Sequence, residues 1–256
     1  MAFKLGGTSS ISLDSPERMF LDFSDRAFKG LLTHQGHVLA EYQSKALSVP
    51  NVAIKLPTGS GKTLVGALIA EWRRRKMQER VVYVCPTRQL AYQVVEEART
   101  KYGMADTIAP FVGRKADYNP YDKGRFQSGD VVAVTTYGGL FNAKTFFDEP
   151  HCLIFDDAHA VENYMAQHWT LQVERAGHPT LFSVLAAILG EVLAPIDAKR
   201  LREAAETRWD ASWVDMVPRA AVAVIEAQLV AALDEHLASD DLRWRWLELR
   251  DHLSAC

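Results

Sequence analysis

Cysteine is scarce in this chain. Its 256 residues hold three, Cys85, Cys152 and Cys256, too few and too scattered for a disulfide framework or a four-cysteine metal site. An iron–sulfur cluster held by four cysteines of this chain is excluded by arithmetic. Long apolar runs are also missing. No segment reaches transmembrane length, and the opening MAFKLGGTSSISLD lacks the apolar core of a secretory leader. There is no internal repeat and no low-complexity tract. These absences predict a reduced, cytoplasmic protein with no membrane partner. Neither charge sign dominates the whole, but the halves differ. Residues 1–150 carry 20 basic and 15 acidic side chains, whereas residues 151–256 carry 9 and 17. The basic front half suits a polyanionic partner and the acidic back half does not.

Apolar patterning divides the chain. Residues 1–14 are small and polar and are expected to be disordered. Ser15 followed by Pro16 predicts a helix start, and a second helix is expected over about 35–47. NVAIKL (51–56), RVVYVC (80–85), VVAVTT (131–136) and CLIFDD (152–157) are continuous apolar runs rather than alternations. Such runs predict strands covered on both faces, hence a parallel sheet flanked by helices. Two helices, GKTLVGALIAEWRRRKM and RQLAYQVVEEARTKY, fall between them. The stretch 103–130 offers one weak strand, TIAPFV, among loops. After about residue 160 no strand is expected. Helices are predicted over 160–175, 180–194, 197–208, 219–238 and 241–253. The expected plan is an N-terminal extension (1–30), an α/β lobe (31–160) and a helical section (161–256). WRRRK (72–76) reads as a solvated helix end, where cations suit the carbonyl terminus. Trp244 and Trp246 lie on an amphipathic helix, and core packing is favoured over base stacking for them.

LPTGSGKT (56–63) carries the strongest chemistry. Gly59 and Gly61 let the backbone fold back so that its N–H groups point at phosphate oxygens. The following helix adds its positive N-terminus. Lys62 can reach β- and γ-phosphates, and Thr63 offers a hydroxyl to Mg²⁺. The strict pattern wants glycine at position 56, where this chain has Leu56.

With Pro57 and Thr58 ahead of Gly59, this loop resembles motif I of the superfamily 2 helicases and translocases. CPTRQLAYQ (85–93) resembles motif Ia, TTYGGL (135–140) motif Ib, and DDAH (156–159) the DEAD/DEAH box. Each follows a predicted strand, at the sheet edge where ligands bind in open α/β folds. The resemblance covers roughly residues 30–160. It implies a RecA-like P-loop NTPase lobe that binds ATP and Mg²⁺. The nucleotide would be held by Gln35, Pro57, Thr58, Gly59, Ser60, Gly61, Lys62 and Thr63, with the metal at Thr63 and Asp156. Lys62, Asp156, Asp157 and His159 would serve hydrolysis. Gln43 competes with Gln35 for the adenine, and spacing does not separate them. Thr87, Arg88, Thr136 and Gly138 would touch the phosphate backbone of single-stranded DNA or RNA, with Arg114 adding charge.

Two features depart from the family pattern. Asp157 stands where glutamate usually orients the attacking water, and is shorter by one methylene, about 1.5 Å. Misplacement by about 1 Å can cost on the order of 10²-fold in rate. No second RecA-like lobe follows residue 160, so one is expected elsewhere in a longer chain or in a partner. The helical section then resembles, by position alone, an insertion after the box. Two functions stay open: a nucleic-acid-dependent ATPase lobe, or a module that binds ATP without useful hydrolysis and docks a protein partner.

Overall fold

Val81–Cys85 (β1) and Val132–Thr136 (β3) consist almost wholly of apolar and β-branched residues, and they form the middle of the sheet. In a computed structural model describing residues 11–142, 144–203, 213–238 and 241–255, β2 (Ile108–Pro110) flanks β3 and β4 (Cys152–Phe155) flanks β1. The order is β2–β3–β1–β4, and every neighbour is parallel. This is the α/β, RecA-like lobe with a parallel sheet that the resemblance implies. The chain divides into two compact units, Met1–Glu162 and Asn163–Cys256.

Five helices and short turns surround the sheet in the first unit before the acidic box. They are α1 (Pro16–Asp22), α2 (Thr33–Glu41), α3 (Lys62–Met77), α4 (Arg88–Thr100) and α5 (Pro120–Gln127). A four-residue turn, α6 (Tyr137–Leu140), follows β3, and α7 (Ala158–His168) follows β4. Ser15 caps α1 by accepting from the Arg18 N–H at 3.1 Å, as its sequence predicts. α3 packs on β1, and α4 packs on β2 and β3. Trp72, Tyr83, Leu68 and Phe20 are fully buried in the resulting core. A second aromatic group, Phe111, Tyr118, Phe126, Phe146 and Phe147, pins the loop after α6 to the β2–β3 side.

Several expectations fail here. The run 51–56 is not a strand of the sheet. Val52 and Ile54 are 42% and 41% exposed, and Leu56 is the residue of this run that reaches the core. An apolar run becomes a strand only where a neighbour supplies its ladder, which sequence cannot show. β4 is likewise an edge, partly exposed strand, with Leu153 40% exposed. Residues 11–14 are ordered against the core. Ile11 and Leu13 pack on it, and the Trp72 indole donates to Leu13 O at 3.1 Å. Residues 1–10 lie outside the described set.

WRRRK is not a solvated end. Arg74 and Arg75 both pair with the fully buried Glu71 carboxylate, and Arg73 forms a two-pronged pair with Glu79. Arg74 also donates to Gly129 O at 3.1 Å, tying α3 to the turn that precedes β3. Glu71, one residue before the basic run, is the partner that the run alone conceals.

In the second unit, α8 (Pro179–Leu189), α9 (Pro195–Arg202), α10 (Arg219–His236) and α11 (Arg243–Leu249) are helical as expected. The predicted helix end at 204–208 lies outside the described residues. The helix expected to 175 stops at His168. Trp169, Leu171 and Val173 instead pack alternately on a core of Leu181, Leu233, Leu237, Trp246 and Leu249. Burial at every second residue is an extended chain's period, not a helix's. Trp246 is buried and its indole donates to Asp234 at 2.8 Å, but Trp244 is 78% exposed. Among the described residues, no helix is long and apolar enough to cross a membrane.

Glu71→Ala should destabilise the first unit by about 3–5 kcal/mol, because it strands the buried Arg74 guanidinium. Denaturant unfolding followed by circular dichroism checks this. A pH effect is expected in the second unit. Arg250 and Trp246 hold the Asp234 carboxyl down at about 2. A depressed carboxylate stabilises the fold above its unfolded value near 4 and ceases to do so as pH falls through about 2. Asp234→Asn should therefore flatten the acid limb of that unit's melting profile between those values.

Candidate active site

Pro57 to Gly61 form a turn leading into α3. Gly59 and Gly61 adopt φ of 78° and 80°, the left-handed region that a side chain disfavours. A Cβ at Gly59 would meet nothing within 4 Å, so the loop's mouth is open. A Cβ at Gly61 would collide with the Gln35 amide. Gln35, in α2, is buried and donates from Nε2 to Ser60 O at 2.8 Å, while its Oε1 accepts from Leu32 N–H at 2.9 Å. His34 Nε2 lies 3.0 Å from the same Ser60 oxygen. The Ser60 hydroxyl donates back to Pro57 O at 2.6 Å. Gln43, the competing residue, points instead to Asp14 O at 2.7 Å on the N-terminal segment. Lys62 is exposed and Thr63 half-buried in the first turn of α3, with Thr58 exposed at the loop.

Asp156 and Asp157 lie directly beyond β4. The Asp156 N–H donates to Val84 O at 3.0 Å, extending the β1–β4 ladder by one step. Its Oδ1 accepts from the Tyr83 hydroxyl at 2.7 Å. Tyr83 reaches it from beneath α3, where a Cβ on Gly66 would sit 2.9 Å from the Tyr83 ring and 3.3 Å from its hydroxyl. Gly66 follows Lys62 by one helical turn, so this contact chain links α3, one turn from its start, to Asp156. Burial, with the Asp156 charge, pushes the Tyr83 phenol well above its usual range and keeps it a donor. The same two causes push the Cys85 thiol up to about 12, which makes it inert.

Asp157 is differently engaged. Its carboxylate accepts from the backbone N–H groups of His159 at 3.1 Å and Ala160 at 3.4 Å, capping α7. Its carbonyl accepts from the Tyr137 hydroxyl at 2.6 Å. His159 is exposed beside it. Thr87 caps α4 through Leu90 N–H at 3.2 Å, and Thr136 caps α6 through Gly139 N–H at 3.3 Å. Arg88 and Gly138 are exposed next to these caps. Arg114 is exposed on a separate turn and pairs with Asp117 at 3.0 Å. Tyr83 and Tyr137 escape a reading of the sequence because each looks like strand or helix filler. Their only signal is a phenol inside a run of otherwise apolar or small residues.

A parallel sheet with a glycine-turned loop opening a long helix, and carboxylates at the next strand end, defines a nucleotide-binding RecA-like lobe. The chain belongs to the DEAD/DEAH box helicase family, whose model matches residues 34–187. That family is one of nucleic-acid-associated ATPases. The chain is also 30% identical over 151 residues to a protein of Sulfolobus islandicus filamentous virus (isolate Iceland/Hveragerdi) named "Putative helicase 7". That match takes in 50% of this chain and 24% of the viral protein, so the chain spans about a quarter of that relative. No solved structure gives a significant match.

Replacing Asp157 by Ala should cost ~1 kcal/mol through the lost cap, whereas Asn, which caps as well, should cost far less. Thermal melts of the two variants beside the parent measure the difference.

Proposed function

We propose that this chain is the ATP-binding lobe of a nucleic-acid-dependent ATPase that couples hydrolysis to movement on single-stranded DNA or RNA. The observation that carries this is the link between the phosphate-loop helix and Asp156 through Tyr83. The donor set suits the nucleotide. Two left-handed glycines, an open loop mouth and the N-terminus of a 16-residue helix suit phosphate oxygens. Lys62 binds the β- and γ-phosphates, and Pro57, Thr58 and Ser60 shape the cradle. The Gln35 amide keeps one N–H and one lone pair after its bonds to Ser60 and Leu32. That remaining pair matches the N6–N7 edge of adenine.

Thr63 and Asp156 offer the hard oxygen donors that Mg²⁺ takes. Bound there, Mg²⁺ would neutralise charge between the β- and γ-phosphates. Asp157 orients the attacking water, and His159 couples the box to nucleic acid or to a second RecA-like lobe. Thr87, Arg88, Thr136 and Gly138 contact the sugar–phosphate backbone, with Arg114 adding charge at the end of the track. In this scheme residues 31–160 are the nucleotide lobe, 1–30 an N-terminal extension and 161–256 an accessory helical section.

One observation favours a second function, nucleotide-dependent docking without useful turnover: the Asp157 carboxylate is committed to the α7 cap. ATPase rates with and without single-stranded DNA and RNA separate the two. The first function requires a stimulated rate that Lys62→Ala lowers by about 10²-fold or more. A Lys62→Ala variant with undiminished turnover overturns the site. Tight ATP binding with no stimulated rate, in the presence of the second lobe, favours the docking module.

A further inference from the structure

Tyr83 occupies a place that a purely structural residue of the sheet does not need. It is fully buried in β1, yet it carries a hydroxyl into the core and spends it on the Asp156 carboxylate at 2.7 Å. An apolar residue would fill the same ring volume without a buried polar atom to satisfy. α3 accommodates the ring by having glycine at position 66, where any Cβ would stand 2.9 Å from it. Glycine within a helix is less favourable than alanine, so this fit has a cost in stability.

The geometry points to Tyr83 as the positioning residue for Asp156. This deepens the ATP–Mg²⁺ function proposed above and depends on it. The Asp156 main chain is already fixed by its N–H bond to Val84 O. The remaining freedom is rotation of the carboxylate about its side-chain bonds. The Tyr83 hydroxyl takes one oxygen, Oδ1, and thereby restricts that rotation. A carboxylate has about four lone-pair positions, so one accepted bond leaves ample capacity for a magnesium water shell. Because the ring lies against Gly66, the carboxylate is also referenced to the first turns of α3, which carry Lys62 and Thr63. Outer partners of metal-binding groups work in this way, and their loss typically weakens metal affinity by ~10- to 100-fold.

Tyr83→Phe removes the hydroxyl and keeps the ring on Gly66. The 256-residue chain is titrated with a fluorescent ATP analogue at a series of free Mg²⁺ concentrations, and again in excess EDTA. The parent should bind more tightly as Mg²⁺ rises. Tyr83→Phe should move the Mg²⁺ midpoint upward by about tenfold, while affinity in EDTA stays the same. In an Asp156→Asn background, Tyr83→Phe should shift the midpoint no further, because it acts through that carboxylate. An unmoved midpoint in Tyr83→Phe overturns the assignment and leaves Tyr83 as core filling. So does a shift that persists in Asp156→Asn, or an equal loss with and without Mg²⁺. If the parent itself takes up no nucleotide, the ATP function fails, and the role of Tyr83 fails with it.

Discussion

The parallel pairing of β1 with β4 is the constraint on which the site depends. Its register sets Val84 opposite Phe155, so the next residue of each strand emerges at the same level. One strand then delivers Pro86 and Thr87 into α4, and the other delivers Asp156 and Asp157 into α7. Parallel strands have all their carboxyl ends on one edge, and each crossing helix starts there. Charged and polar groups that are distant in sequence therefore gather without any direct contact specifying it. The Tyr83–Asp156 bond is a consequence of that register: Tyr83 stands opposite Ile154, two steps back, and its long phenol spans the remaining distance.

How much of this was legible depends on whether the signal was local. The Ser15 cap of α1 was readable because it involves residues three apart, whereas the threonines that cap α4 and α6 were read only as phosphate-backbone contacts. The glycine loop was readable because left-handed backbone has few alternatives to glycine. Partnerships across the chain were not readable. The run 51–56 has a strand's composition, but composition does not say whether an edge is available to pair with it. Gln35 and Gln43 were inseparable by spacing, yet one lies in the core against Ser60 and the other holds the N-terminal segment. Three adjacent arginines suggested solvent because the acid that Arg74 and Arg75 share, Glu71, belongs to the buried side of the same helix, and the partner of Arg73, Glu79, lies beyond the helix end.

Tryptophans 244 and 246 show the same limit within one turn. Two positions apart on a helix, side chains point about 200° from each other, so they cannot share a face. Trp246 faces Asp234 and the core, and Trp244 faces outward. An amphipathic pattern announces that one face is buried. It assigns a given indole only when the hydrophobic stripe is continuous, and here Leu249 rather than Leu247 continues it.

Asp157 concentrates the remaining tension between structure and chemistry. A short carboxylate at a helix start bonds readily to the N–H groups two and three residues on, which a glutamate is too long to do well. The shortened side chain and the cap at α7 are therefore one fact seen twice. An acid that satisfies two backbone donors still has lone pairs to offer, since a carboxylate can accept about four bonds. What it loses is freedom to follow a moving water. The cap holds the group close to its own backbone, so any water it orients must come to the mouth of α7 rather than be reached. Hydrolysis would then require the opposing surface, from a second lobe or from nucleic acid, to close the gap that the missing methylene leaves. Under the proposed function, the α7 cap would make turnover contingent on assembly, whereas nucleotide binding at Lys62, Thr63 and Asp156 would need this lobe alone.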